Sequence, residues 1–144
     1  MNPRESSLWE WLKTGLKRVQ SLQEHSMHWT RIESSTGEGI PDVELCVDGP
    51  TAWIELKIGD MTPDGLKADI SKEQFVWHTL RLKAGGLAYF LVRYGRNLWL
   101  MKGSHAARQL MTGTFDPSNH FFRIENAEDI VLEVQRAARE MWTR

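Results

Sequence analysis

The sequence predicts a single α/β domain in which helices flank a mixed β-sheet. Three observations predict it: apolar residues at helical spacing over 8–19, strict alternation over 43–47 and 52–58, and an unbroken apolar run from Leu87 to Val92. A run of that kind belongs to a strand buried on both faces, at the centre of a sheet. At 144 residues the chain fits one domain, 1–144, and can bury a core without metal or disulfide staples.

The elements follow in order. Asn2-Pro3-Arg4-Glu5 is a helix start, with Asn as N-cap, Pro at the first helical position and Glu completing a capping box. Leu8, Trp9, Leu12, Leu16 and Val19 then carry the helix to about Gln23. Met27 to Glu33 reads as a strand and Ser34 to Gly39 as a loop. Val43, Leu45 and Val47 alternate, Asp48-Gly49 is a hairpin turn, and Ala52 to Ile58 returns as the partner strand. On that strand Ile54, Leu56 and Ile58 share one face, and Trp53, Glu55 and Lys57 the other.

Gly59 to Ile70 is dense in turn residues and reads as a polar loop beside the hairpin, placed to contact a substrate. Ser71-Lys72-Glu73-Gln74 is a second capping box, opening a helix through Phe75, Val76, Leu80 and Leu82 to a Gly85-Gly86 stop. Leu87 to Tyr94 is the central strand, and Leu98 to Lys102 follows after a turn. Helices are expected over Ser104 to Met111 and, capped by Asn126, from Ala127 to Trp142. The order α-β-β-β-α-β-β-α-α suits one layered α/β domain.

Composition excludes several classes. The longest apolar run is far too short to span a bilayer. The first residues carry charge without the apolar stretch of a secretory signal. One cysteine, Cys46, rules out an internal disulfide framework and fits a reducing, cytoplasmic setting. A net charge of −1 means that any nucleic-acid-binding surface must be local. His25 and His28 have helical-ligand spacing, but no Cys or His pair nearby completes a zinc set. Most of the seven tryptophans fall at apolar-face positions and are expected in the core; Trp53, beside Glu55, has base stacking as its alternative.

The chemistry concentrates in GIPDVELCVDGPTAWIELK, residues 39–57. Asp42 at the mouth of one strand and Glu55 on its hairpin partner can converge on one divalent cation. Lys57 then lies on the same strand face as Glu55. Phosphodiester hydrolysis needs a cation to polarise the phosphate and acidify a water, and a further group to manage charge. Magnesium, a hard ion, takes one or two carboxylates plus waters and phosphate oxygens. Each residue also has an ordinary reading: a turn aspartate for Asp42, and exposed cross-strand charges for Glu55 and Lys57.

Pro41-Asp42 followed by Glu55-Leu56-Lys57 resembles the PD-(D/E)XK motif of the restriction-endonuclease-like nuclease superfamily. The wider string is similar to small stand-alone phage and VRR-NUC-like members: a Gly-X-Pro-Asp turn, Trp53 to Lys57, a helix with Gln74 and Trp77, then Gly85-Gly86 before Leu87 to Val92. The likeness covers roughly residues 5–94.

It implies a restriction-endonuclease-like mixed sheet and a Mg²⁺-dependent deoxyribonuclease, with Mn²⁺ as substitute. Asp42, Glu55 and the Leu56 carbonyl would be metal ligands. Lys57 would act on the attacking water and the phosphate, with Gln74 supporting the site. Gln74 serves equally as the capping partner of Ser71.

Family members often add an acid from the first helix. At about 100° per residue, Glu5 lies within about 40° of Trp9, Leu12 and Leu16, whereas Glu10 points roughly 140° away. Glu5 is therefore the expected extra ligand, its alternative being the capping box alone. Lys13, Lys17, Lys72 and Arg31 are candidate DNA contacts. A solvated helix face is the commoner role for Lys13 and Lys17, and an edge-strand charge pair with Glu33 for Arg31. By analogy a homodimer acting on branched or junction DNA is expected. The competing class is a non-catalytic nucleic-acid-binding protein that keeps the fold, and it would bind DNA without cleaving any.

Overall fold

The apolar stripe of the first segment forms helix α1, Pro3–Ser21, which buries Leu8, Leu12, Leu16 and Val19. It ends two residues before the expected Gln23, which takes a φ of 58° and donates its N–H to Gln20 O at 3.1 Å. The computed structural model describes residues 3–33, 39–102, 113–114 and 122–142. The expected N-cap Asn2, residues 34–38 of the expected loop and the expected helix over 104–111 lie outside the described residues.

The strands are β1 (Met27–Arg31), β2 (Val43–Val47), β3 (Thr51–Thr62), β4 (Gly65–Ala68), β5 (Leu87–Tyr94), β6 (Asn97–Lys102) and β7 (Phe122–Ile124). Helix α2 (Lys72–Lys83) and helix α3 (Ala127–Trp142) complete the described elements. They make one mixed seven-stranded sheet ordered β1-β2-β3-β5-β6-β7, with β4 pairing β3. Every pairing is antiparallel except β3 with β5, which run parallel, Glu55 beside Phe90 and Lys57 beside Val92.

Asp48 and Gly49 both adopt positive φ (51° and 112°), so the β2–β3 turn has the twist that suits two antiparallel strands. Helices α1 and α3 cover one face of the sheet with Leu8, Leu12, Leu16, Ile130, Val131 and Val134. The other face carries a smaller core of Leu66, Ala68, Phe90, Val92, Trp99 and Met101, with Phe75 of α2 and Ile70 against it. Consecutive β5 residues alternate between the two cores, as expected for its two-sided burial. No helix among the described residues is long and apolar enough to cross a membrane.

The structure corrects several expectations. Gly59 to Ile70 is not a loop: β3 runs on to Thr62, turns through Pro63-Asp64 and returns as β4. Leu66 and Ala68 are buried on either side of the exposed Lys67, an alternation hidden by the surrounding turn residues. Strand β7, a short edge strand against β6, was not expected. Along α2, Val76 and Leu80 are exposed and His78 is buried instead. Of the tryptophans, Trp99 is buried, while Trp9, Trp11, Trp29, Trp53 and Trp77 are half-buried.

Because Leu66 fills the second core, Leu66→Ala should destabilise the protein by about 2–5 kcal/mol in urea unfolding. A leucine in an open loop would cost less than about 0.5 kcal/mol.

Candidate active site

Asp42 is placed by a turn that only glycine permits. Gly39 has a φ of 80°, and a Cβ there would meet Glu73 O at 2.2 Å. The turn is thereby pressed onto the first turn of α2. Asp42 Oδ2 accepts the Leu56 N–H at 2.8 Å, and Oδ1 accepts from Arg31 Nη1 at 3.3 Å. The same Nη1 donates to the carbonyls of Ile32 (2.7 Å) and Asp42 (2.8 Å). The carboxylate is thus held between β1 and β3.

Glu55 is 4% exposed, on the α2 side of β3. Its Oε1 accepts from Gln74 Nε2 at 3.1 Å. Gln74 Oε1 in turn accepts the Ser71 N–H at 3.0 Å, which leaves its amide nitrogen to face Glu55. The capping reading of Gln74 is present, and the capping bond orients the side chain whose amide reaches Glu55. Burial, and then the adjacent Asp42 carboxylate, push the Glu55 carboxyl up to about 9; Lys57 pulls it partly back and Glu5 adds to the rise.

Glu55 Oε2 is buried without a hydrogen-bond partner. That oxygen belongs to a carboxyl held protonated beside the Asp42 carboxylate. Once the proton leaves, two such side-by-side groups are the donor chemistry that a hard divalent cation takes. The pair therefore fits Mg²⁺ or Mn²⁺. Among the described residues no three His, Cys, Asp or Glu side chains gather into a full metal set. Leu56 is seen to contribute its N–H, bound to Asp42.

The remaining candidates separate by position. Glu5 is half-buried and near enough to act on Glu55, whereas Glu10 is exposed and pairs with Lys13 at 3.1 Å. Lys13 is thereby occupied, and Lys17 lies exposed on α1. Lys72 is exposed in the first turn of α2, close in sequence to Gln74. Arg31 pairs with Asp42 at 3.3 Å, so its guanidinium lies beside that carboxylate.

His78 was missed by sequence reasoning. It lies one helical turn beyond Gln74, is 0% exposed, and stacks on Phe90 with ring centroids 4.0 Å apart. Neither ring nitrogen has a partner. Burial, and then the Lys57 ammonium, hold it neutral with a pKa of about 3. The available signal was its i+4 spacing from Gln74.

A cavity of about 850 Å³ opens at the other end of β3, between Val47–Thr51, Gly85–Leu87 and α3, and holds none of these carboxylates. A smaller one, about 450 Å³, is lined by Lys57, Lys67, Ser71 and Gln74 and borders the site. Chemistry, not size, locates the candidate centre.

Without divalent ions, Glu55→Gln should be more stable than wild type at neutral pH by about 1–3 kcal/mol. The amide keeps the Gln74 bond and removes an orphaned buried carboxyl facing Asp42. Chemical unfolding in EDTA checks this, and a less stable variant contradicts it. His78 is depressed in the fold, so the unfolded chain binds the extra proton. Its contribution is complete above about pH 6.5 and is lost as pH falls toward 3. His78→Phe should flatten the stability decline across that window, and equal slopes would exclude the effect. Comparison of the chain with protein-family models and with curated proteins finds no match.

Proposed function

We propose that this protein is a divalent-metal-dependent deoxyribonuclease of the restriction-endonuclease-like, PD-(D/E)XK, superfamily. The observation that carries the reading is the buried Glu55 oxygen with no partner, beside Asp42 and on the strand face of Lys57. Asp42 and Glu55 would hold Mg²⁺, which when bound supplies Lewis-acid polarisation of the phosphate and acidification of water.

Everything else falls to the chain. Arg31 and the Leu56 N–H hold the Asp42 carboxylate in place. Gln74 fixes Glu55 Oε1 and leaves Oε2 turned to the ligand. The Lys57 ammonium orients the attacking water and offsets the negative charge that grows on the phosphate. Glu5 adds negative potential at the same point. By analogy with superfamily members of this size, the substrate is branched or junction DNA and the working form a cytoplasmic homodimer.

Asp42→Asn should lose Mn²⁺ binding and cleavage together, because a neutral amide is a poor ligand for a hard cation. Lys57→Ala should keep both metal and DNA but lose about 10²- to 10⁴-fold in rate. Glu5→Ala should lower cleavage while Glu10→Ala does not. Ca²⁺ should support DNA binding with little cleavage. A cleavage time course on plasmid, linear and four-way-junction DNA, alongside calorimetric titration of Mn²⁺, checks all four. Full activity in excess EDTA, or wild-type rates from Lys57→Ala, would overturn the assignment.

A further inference from the structure

Trp53 precedes Glu55 by two residues on the same face of β3, so the two are about 7 Å apart along the strand. Trp77 follows Gln74 on α2, and the two indoles meet edge to face, centroids 5.3 Å apart at 62°. One turn further on, Arg81 lays its guanidinium over both rings, Cζ 5.2 Å from the Trp53 centroid and 4.6 Å from that of Trp77. Both indoles are half-exposed and Arg81 is exposed. Among the described residues no carboxylate pairs with Arg81.

The position of Arg81 is built into the backbone. Gly86 is absent from the positive-φ glycines, so its conformation does not demand glycine. A Cβ at 86 would instead lie 2.6 Å from Arg81 Cδ and 2.9 Å from Cγ. Any side chain there displaces the Arg81 stem that crosses it. The Gly85-Gly86 pair therefore does two jobs: Gly85, with a φ of 90°, ends the helix, and Gly86 makes room for the arginine.

Trp77 also borders an open cavity of about 390 Å³, shared with Lys72, Glu73, Val76 and Leu80. Val76 and Leu80 are 42% and 61% exposed, so the space beside the indole has an apolar wall and a cation at its rim.

We infer that the Arg81–Trp77–Trp53 stack is a subsite for an unpaired nucleobase of the strand whose phosphate is held at Asp42, Glu55 and Lys57. The inference rests on the nuclease reading for what lies at the carboxylates. Bases stack on indole faces and on planar guanidinium groups without regard to sequence. In an intact duplex both faces of each base are covered by its neighbours, so only a frayed, branched or single-stranded nucleotide can enter. The stack shares β3 and α2 with the carboxylate pair, which couples recognition of an unpaired base to the cleavage site. It thereby selects single-stranded or branched DNA over continuous duplex.

The test is fluorescence anisotropy in EDTA, with short labelled single-stranded DNA of mixed sequence compared with an abasic backbone of the same length. Wild type should bind the base-bearing strand about 5- to 100-fold more tightly. Arg81→Lys keeps the charge but lacks the planar stacking surface. It should lose most of that preference while its salt dependence stays unchanged. Gly86→Ala should do the same without altering any stacking residue. Equal wild-type affinity for the two strands overturns the subsite. So does either variant keeping the wild-type ratio with an unchanged melting temperature. The readout needs no metal and no cleavage. A wild type that shows no preference yet cleaves with metal therefore removes only the subsite, and a protein that never cleaves removes the nuclease reading.

Discussion

The parallel pairing of β3 with β5 is the constraint on which the rest depends. Parallel neighbours cannot be joined by a tight turn and need a crossover. Here the crossover carries the β3–β4 hairpin and then α2 over one face of the sheet. That path brings Gln74 to Glu55 and His78 to Phe90, which is the strand partner of Glu55. An antiparallel connection would have left this face of β3 open and Glu55 in water. The parallel one encloses it.

Enclosing a carboxylate is costly, and the structure shows how the cost is contained. One oxygen is satisfied by Gln74, and the other has no partner and faces Asp42. Asp42 takes its own hydrogen bonds from a backbone N–H and a guanidinium. The hydrogen bonds around the two carboxylates thus fix Asp42 on both sides and Glu55 on one.

The two faces of the sheet divide the labour. The α1/α3 face is a continuous apolar core that positions the strands. The α2 face has a smaller core, and the rest of its area carries Glu55, Lys57, His78 and the Trp53–Trp77–Arg81 stack. A helix with little apolar burial of its own is held by its cap, by Phe75 and by polar and aromatic contacts. This explains why Val76 and Leu80 are left to solvent.

What the sequence by itself determined is local. Caps, turns and periodicity are set by residues a few positions apart. The Ser71 capping box, the Asp48-Gly49 hairpin and the two-sided burial of β5 could therefore all be read from it. The placement of Trp53, Glu55 and Lys57 on one face followed from strand alternation alone. Tertiary structure decided the rest, because the contacts join residues far apart in the chain. Strand β4 exists because Leu66 and Ala68 find Phe90 and Val92 beneath them, and β7 because β6 offers an edge. His78 is buried because Phe90 accepts its ring, and Arg81 lies flat because Gly86 leaves it room above Trp53. No periodicity within one element reports a stacking partner on another.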